Sequence, residues 1–143
     1  MDGTTEDLIQ IVDSGTIKYT DIAKKLKLPL STVHFRLKKL EKEKVILHYR
    51  AEIDWKKAGF PIAAYIFVNI DVDLLKKIEK SQDDLLKEFM SIFYVRDGAL
   101  ITGDADIILK VIAKSSDHLK EILLKGIDLK EGVVRTKTML VLG

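Results

Sequence analysis

Apolar positions in the first 45 residues recur at helical spacing in three short runs. Leu8, Ile9, Ile11 and Val12 follow Thr4, Thr5, Glu6 and Asp7, which predicts a capped, acid-started helix stopping near Gly15. Thr20 and Asp21 open a second helix with Ile22, Ala23 and Leu26 inward and Lys24, Lys25 and Lys27 outward. A tight connection, Lys27-Leu28-Pro29-Leu30, leads into a third helix from near Pro29 to about Lys42. On a helical wheel Leu30, Val33, Leu37 and Leu40 form one stripe, the expected core face. Two short helices joined by a turn of three or four residues make a helix-turn-helix unit.

The period then changes. Val45–Ile53 reads as an extended, β-rich stretch, a wing or linker strand, bounded by the turn Asp54–Gly59. From Pro61 the alternation is of period two, with Ile62, Ala64, Ile66, Val68 and Ile70 against Ala63, Tyr65, Phe67 and Asn69. A helical stretch of about 73–90 with an interruption near Ser81 comes next, then strands over 92–102 and 106–113 joined at Gly103-Asp104-Ala105. A helix capped by Ser115 or Ser116 ends near Gly126, and a last strand spans 133–142. The order βαββαβ predicts an α+β, ferredoxin-like domain, a four-stranded antiparallel sheet with both helices on one face. The chain divides accordingly into a helix-turn-helix domain over 1–47, a linker strand and turn over 48–61, and a ferredoxin-like domain over 62–143. The uncovered sheet face needs a partner, and Tyr65, Phe67 and Val111 or their neighbours are the expected self-association surface.

Charge sharpens the picture of the first domain. Residues 24–50 carry nine basic side chains against Glu41 and Glu43, a local +7, whereas residues 59–143 hold 12 basic and 13 acidic ones. A basic block on an otherwise balanced chain fits a polyanion-binding surface, and equally a solvated lysine face. The third helix adds geometry. Opposite its core stripe lie Ser31, Phe35, Lys38, Lys39 and Lys42, flanked by Thr32, His34 and Arg36. Phe35 is an aromatic aimed away from the core. It suits contact with a thymine methyl in a DNA major groove, with Ser31, Thr32, His34 and Lys38 placed for base edges or phosphates. Arg36 and Lys39 are placed to neutralise backbone phosphates. Packing of Phe35 against a neighbouring chain or helix is the competing explanation.

Composition excludes other classes. With no Cys there are no disulfides, cysteine nucleophiles or cysteine metal sites. No apolar run reaches the 18 residues of a spanning helix, and the start lacks a signal pattern, so the expected address is the cytoplasm. The chain has 20 Lys against 4 Arg and few amide residues, a balance that fits a thermophile, including an archaeon, and also an AT-rich genome. His34, His48 and His118 show no metal-ligand spacing. No Gly-rich phosphate loop, G-x-S-x-G motif or paired-carboxylate signature is present, so no cofactor, metal or catalytic residue is expected.

With both halves read, the sequence resembles the Lrp/AsnC (feast/famine) family of transcription regulators over nearly its whole length. The residues carrying the resemblance are Asp21–Glu41 (DIAKKLKLPLSTVHFRLKKLE), Val45–Asp54 (VILHYRAEID), Thr102–Asp106 (TGDAD) and Gly132–Thr138 (GVVRTKT). Lys27 and Lys44 stand where the family usually has Gly, and Pro29 where it usually has a capping Ser. Lysine in a left-handed position costs roughly 1 kcal/mol. The resemblance implies double-stranded DNA as partner and homodimers that associate through their sheet faces, with tetramers, octamers or larger assemblies built from them. It implies amino acids or related metabolites bound between subunits near the family's G-x-x-D turn, which Thr102, Gly103, Asp104 and Asp106 match. A plain hairpin turn is the alternative use of those residues. Repression needs only promoter occupancy, while activation would add the basal transcription machinery as a partner. The runner-up function is an enzyme, since sirohaem decarboxylases are similar to this family in fold.

Overall fold

The computed structural model describes residues 3–143, which form two compact units, one ending at Ile53 and the other beginning at Asp54. The division falls inside the stretch read as linker.

The first unit is three helices: α1 (Gly3–Asp13), α2 (Tyr19–Leu26) and α3 (Leu30–Lys42). Leu8, Ile22, Val33, Leu37 and Leu40 form its buried core, one or more from each helix. One position of the α3 stripe departs from expectation, because Leu30 is 46% exposed. It opens the helix, a full turn before Val33, and Leu28 in the preceding turn packs against the core instead. Lys27 (φ 54°) and Lys44 (φ 57°) do take up left-handed geometry, at the positions where the family favours glycine. Lys27 closes α2, its N–H turned back to the carbonyls of Ala23 and Lys24.

The expected strand over 45–53 does not form. The N–H groups of Val45 and Ile46 both return to the Leu40 carbonyl, at 2.9 and 3.2 Å, winding the chain against the end of α3. No strand lies alongside Val45–Ile53, and β propensity without a ladder partner yields only coil. Val45, Leu47 and Ile53 are accordingly exposed.

In the second unit β1 (Ile62–Ile70) is followed by α4 (Val72–Lys77), α5 (Gln82–Met90), β2 (Val95–Leu100), β3 (Ile107–Ala113), α6 (Ser116–Glu121) and β4 (Val133–Leu140). The anticipated break near Ser81 is real. Glu79 is left-handed (φ 54°), and Ser81 starts α5 with a reciprocal capping box to Asp84. A π-helical turn, Ile122–Ile127, continues α6. All pairings are antiparallel in the order β2-β3-β1-β4, with Ile66 of β1 opposite Leu109 of β3 and Thr138 of β4. This is the ferredoxin-like arrangement.

The core lies between sheet and helices: Ala64, Ile66 and Val68 of β1 and Ile107, Leu109 and Val111 of β3 meet Leu75, Leu85, Phe89, Leu119 and Ile122. Val111 therefore belongs to the core and not to the free face, since it sits opposite Ala64 on the helix side. The free face carries Tyr65 and Phe67 of β1, in register with Lys110 and Ile108 of β3 and with Met139 and Lys137 of β4.

Candidate nucleic-acid interface and effector turn

Because Val33, Leu37 and Leu40 turn inward, α3 presents the residues between them. The structure sorts these into two flanks. On one, Ser31, Thr32, Phe35, Arg36 and Lys39 line an open groove of about 760 Å³. Phe35 lines the groove and is 74% exposed. Arg36 is half-buried, and its Nη1 donates to Thr5 Oγ1 of α1 at 3.4 Å, which steadies the guanidinium at the groove wall. Lys39 reaches Glu43 at 4.0 Å, an exposed pair too weak to hold the ammonium against a phosphate.

His34 and Lys38 lie on the other flank, over Tyr19 of α2. The His34 ring meets Tyr19 edge-on at 4.6 Å, and the Lys38 ammonium sits 5.8 Å from the same ring centroid and 3.5 Å from Glu41. The seven residues read as one DNA face are therefore five around a groove and two beside it.

This second flank contains a network that sequence reading missed. Glu41 Oε1 accepts from Tyr49 Oη at 2.9 Å and from Tyr19 Oη at 3.4 Å, tying the coil after α3 back to the helices. Burial, and then the Glu41 carboxylate, push the Tyr49 phenol well above the usual tyrosine range. No local pattern marks this trio, because its members are eight and 22 residues apart.

In the second unit Thr102, Gly103, Asp104 and Asp106 come together in the loop between β2 and β3. Gly103 has φ +115° with open space where a Cβ would stand, so its glycine serves backbone geometry. Asp106 is largely committed to the fold. Its Oδ2 accepts from Ile70 N–H at 2.9 Å, its own N–H bonds Val68 O, and its carbonyl accepts from Ile101. Asp104 is exposed, and its backbone carbonyl accepts from Asn69 Nδ2 at 2.8 Å. Asn69 Oδ1 in turn takes a long bond, 3.5 Å, from Arg135 Nε of β4. Asn69 and Arg135 were not anticipated. Strand alternation puts both on the free sheet face, and only the register Asn69 opposite Arg135 makes them neighbours.

A third cluster gathers Trp55, Phe60, Phe93 and Tyr94, with the Arg96 guanidinium 4.7 Å from the Trp55 ring. His118 is half-buried against Tyr94 at 4.5 Å, and its Nδ1 accepts from Lys114 N–H at 2.9 Å.

A helix-turn-helix with an open, hydroxyl- and base-lined groove, joined to a ferredoxin-like domain, defines a two-domain DNA-binding regulator. Residues 1–46 match the winged helix-turn-helix DNA-binding family model, and residues 66–143 match the Lrp/AsnC ligand binding domain. The chain belongs to the Lrp/AsnC family of transcription regulators. It is 32% identical over 126 residues to an HTH-type transcriptional regulator of Pyrococcus furiosus, covering 88% of this chain and 80% of that one. With the regulatory protein AsnC of Escherichia coli it shares 25% identity over 132 residues, covering 92% of this chain and 83% of the relative. The fold is shared with a transcriptional regulator from Neisseria meningitidis solved as a complex with L-Met, at a TM-score of 0.82 and 19% identity, covering 100% of this chain and 90% of that one. No helix among the described residues is long and apolar enough to cross a membrane.

Proposed function

We propose that this chain is a sequence-specific transcription regulator that acts as a dimer and answers to an amino acid or related metabolite. The observation that carries the reading is the α3 groove, where exposed Phe35 stands among Ser31, Thr32, Arg36 and Lys39 on the +7 stretch of the chain. Hydroxyls and an aromatic suit base edges, and the cations suit phosphates. Two copies would set two such helices about one helical turn of DNA apart. Tyr65 and Met139, 38% and 48% exposed, supply an apolar face for pairing of copies. The L-Met complex of the Neisseria relative and the turn at Gly103 support an amino-acid effector. Repression follows from promoter occupancy; activation would in addition require contact with the basal transcription machinery.

The test is fluorescence anisotropy of the protein on its own upstream DNA and on a scrambled duplex over a salt series. Tight, salt-steep binding that prefers the upstream region is expected. The variant Arg36→Ala/Lys39→Ala should weaken binding to both duplexes. Equal affinity for the two duplexes would remove sequence specificity, and unaltered binding by a folded double variant would remove the α3 face from the interface.

A further inference from the structure

Two neighbouring lysines of α3 meet acids in different ways. Lys39 faces Glu43 at 4.0 Å in a pair whose side chains are 64% and 54% exposed, and Glu43 accepts no side-chain hydrogen bond among the described residues. Lys38 lies 3.5 Å from Glu41 Oε2, and this acid is held in place. Its side chain is 26% exposed, and Oε1 accepts from Tyr49 Oη at 2.9 Å and from Tyr19 Oη at 3.4 Å. One hydroxyl comes from the coil after α3 and the other from the start of α2, so the carboxylate is fixed from two sides. The Tyr19 ring, packed edge-on against His34, also lies 5.8 Å from the Lys38 ammonium. An exposed ion pair is weak in part because two long side chains must be ordered to make it. Here one of the two is ordered already by other bonds, and only the lysine loses freedom.

We infer that Glu41 is a positioning residue that gives Lys38 its specificity: it withholds the ammonium from DNA phosphates, and the pair reads a base-edge acceptor as a donor without net charge. This rests on the DNA-binding reading above and decides between the two uses, base edge or phosphate, open to Lys38 in it. An ammonium has three N–H groups, so Lys38 can keep one on Glu41 and donate another to N7 or O6 of a guanine in the major groove. A phosphate offers no such discrimination. It recurs at every step of the duplex, and what it attracts is charge, which Glu41 cancels. The two lysines divide the work accordingly. Lys39, with a loose partner, supplies affinity for any sequence, and Lys38, with a fixed one, supplies discrimination. Glu41 touches no base itself; it acts through Lys38, and the hydroxyls of Tyr19 and Tyr49 act through it.

The experiment follows anisotropy of the full chain, of Glu41→Gln and of Lys38→Ala on the upstream and the scrambled duplex over the same salt series. Gln keeps an oxygen for both tyrosine hydroxyls and Lys38 is exposed, so the variants should fold, which circular dichroism and urea denaturation check. Glu41→Gln should bind the scrambled duplex more tightly than the parent chain does. Its log–log salt slope should be steeper by about 0.9 per copy, one extra phosphate each. Its preference for the upstream duplex should fall at least about fivefold. Lys38→Ala should lose preference by a similar factor, because it gives up a base contact while the uncompensated Glu41 carboxylate repels both duplexes alike. A folded Glu41→Gln that binds the scrambled duplex no more tightly than the parent, as loss of a merely structural acid would have it, overturns the inference. So does Lys38→Ala that weakens both duplexes by one factor, which puts the ammonium on a phosphate; this variant decides alone should Glu41→Gln not fold. Either result leaves the DNA-binding reading standing, whereas a parent chain that binds neither duplex, or prefers neither, removes that reading and the inference with it.

Discussion

Phe35 offers the cleanest separation of folding from recognition. Full burial of such a side chain is worth about 1.5–3 kcal/mol, and at 74% exposure only about a quarter of that is realised in the free protein. Replacing it by Ala recovers about 0.5 kcal/mol of helix propensity, so Phe35→Ala should leave the urea midpoint nearly unchanged. On DNA the balance differs. A thymine methyl packed on the ring contributes about 0.8 kcal/mol, the value of one buried methylene, or about fourfold in affinity. A symmetric site contacted by two copies doubles the energy, to about fifteenfold. The assay replaces thymines of the bound duplex by deoxyuridine one pair of half-sites at a time and follows anisotropy. One pair should cost about fifteenfold with the parent chain and nothing with Phe35→Ala. If every substituted duplex binds the parent chain as tightly as the thymine duplex, Phe35 does not read a methyl, and its exposure must serve a protein contact.

Other consequences concern the scaffold. Gly132 has φ +99°, and a Cβ there would lie 2.5 Å from Leu75 Cδ2, so Gly132→Ala should lose about 2–3 kcal/mol in urea denaturation, from left-handed strain plus overpacking. Ser81→Ala removes the α5 cap and should cost about 1 kcal/mol, read the same way. Asp84, held below the usual carboxylate range by the backbone and hydroxyl of Ser81, adds stability that is present above the unfolded value of about 4 and lost as pH falls further; acid titration of Asp84→Asn should lack that loss. Tyr49 behaves oppositely. Its raised phenol favours the fold up to about pH 10, and that contribution disappears as pH climbs through the folded value, so Tyr49→Phe should denature over a shallower alkaline range than the parent chain.

What the sequence made legible was whatever repeats at a fixed local period. The inward stripe Val33, Leu37, Leu40, the strand face Ala64, Ile66, Val68 and the break at Ser81 all follow from spacings of two, three or four residues. Errors arose where a side chain's surroundings are set by distant residues. Leu30 continues the wheel stripe but precedes the turn where α3 meets the core, and Val111 faces the helices because of a choice of side on β3 that alternation alone does not specify. Val45–Ile53 failed for a different reason, since propensity supplies a willing strand and only a partner supplies the ladder.

The effector turn combines the two cases. Its glycine and acids could be found as a contiguous motif, yet their division of labour could not. Asp106 turns inward to Ile70 because β1 ends beside it, and Arg135 reaches the turn only because β4 pairs with β1 in the register that sets it opposite Asn69. The ionisable residue most visible in the motif is the one the fold consumes. Arg135 lies 31 residues downstream of Asp104, on another strand, and register rather than motif is what brings it beside the turn.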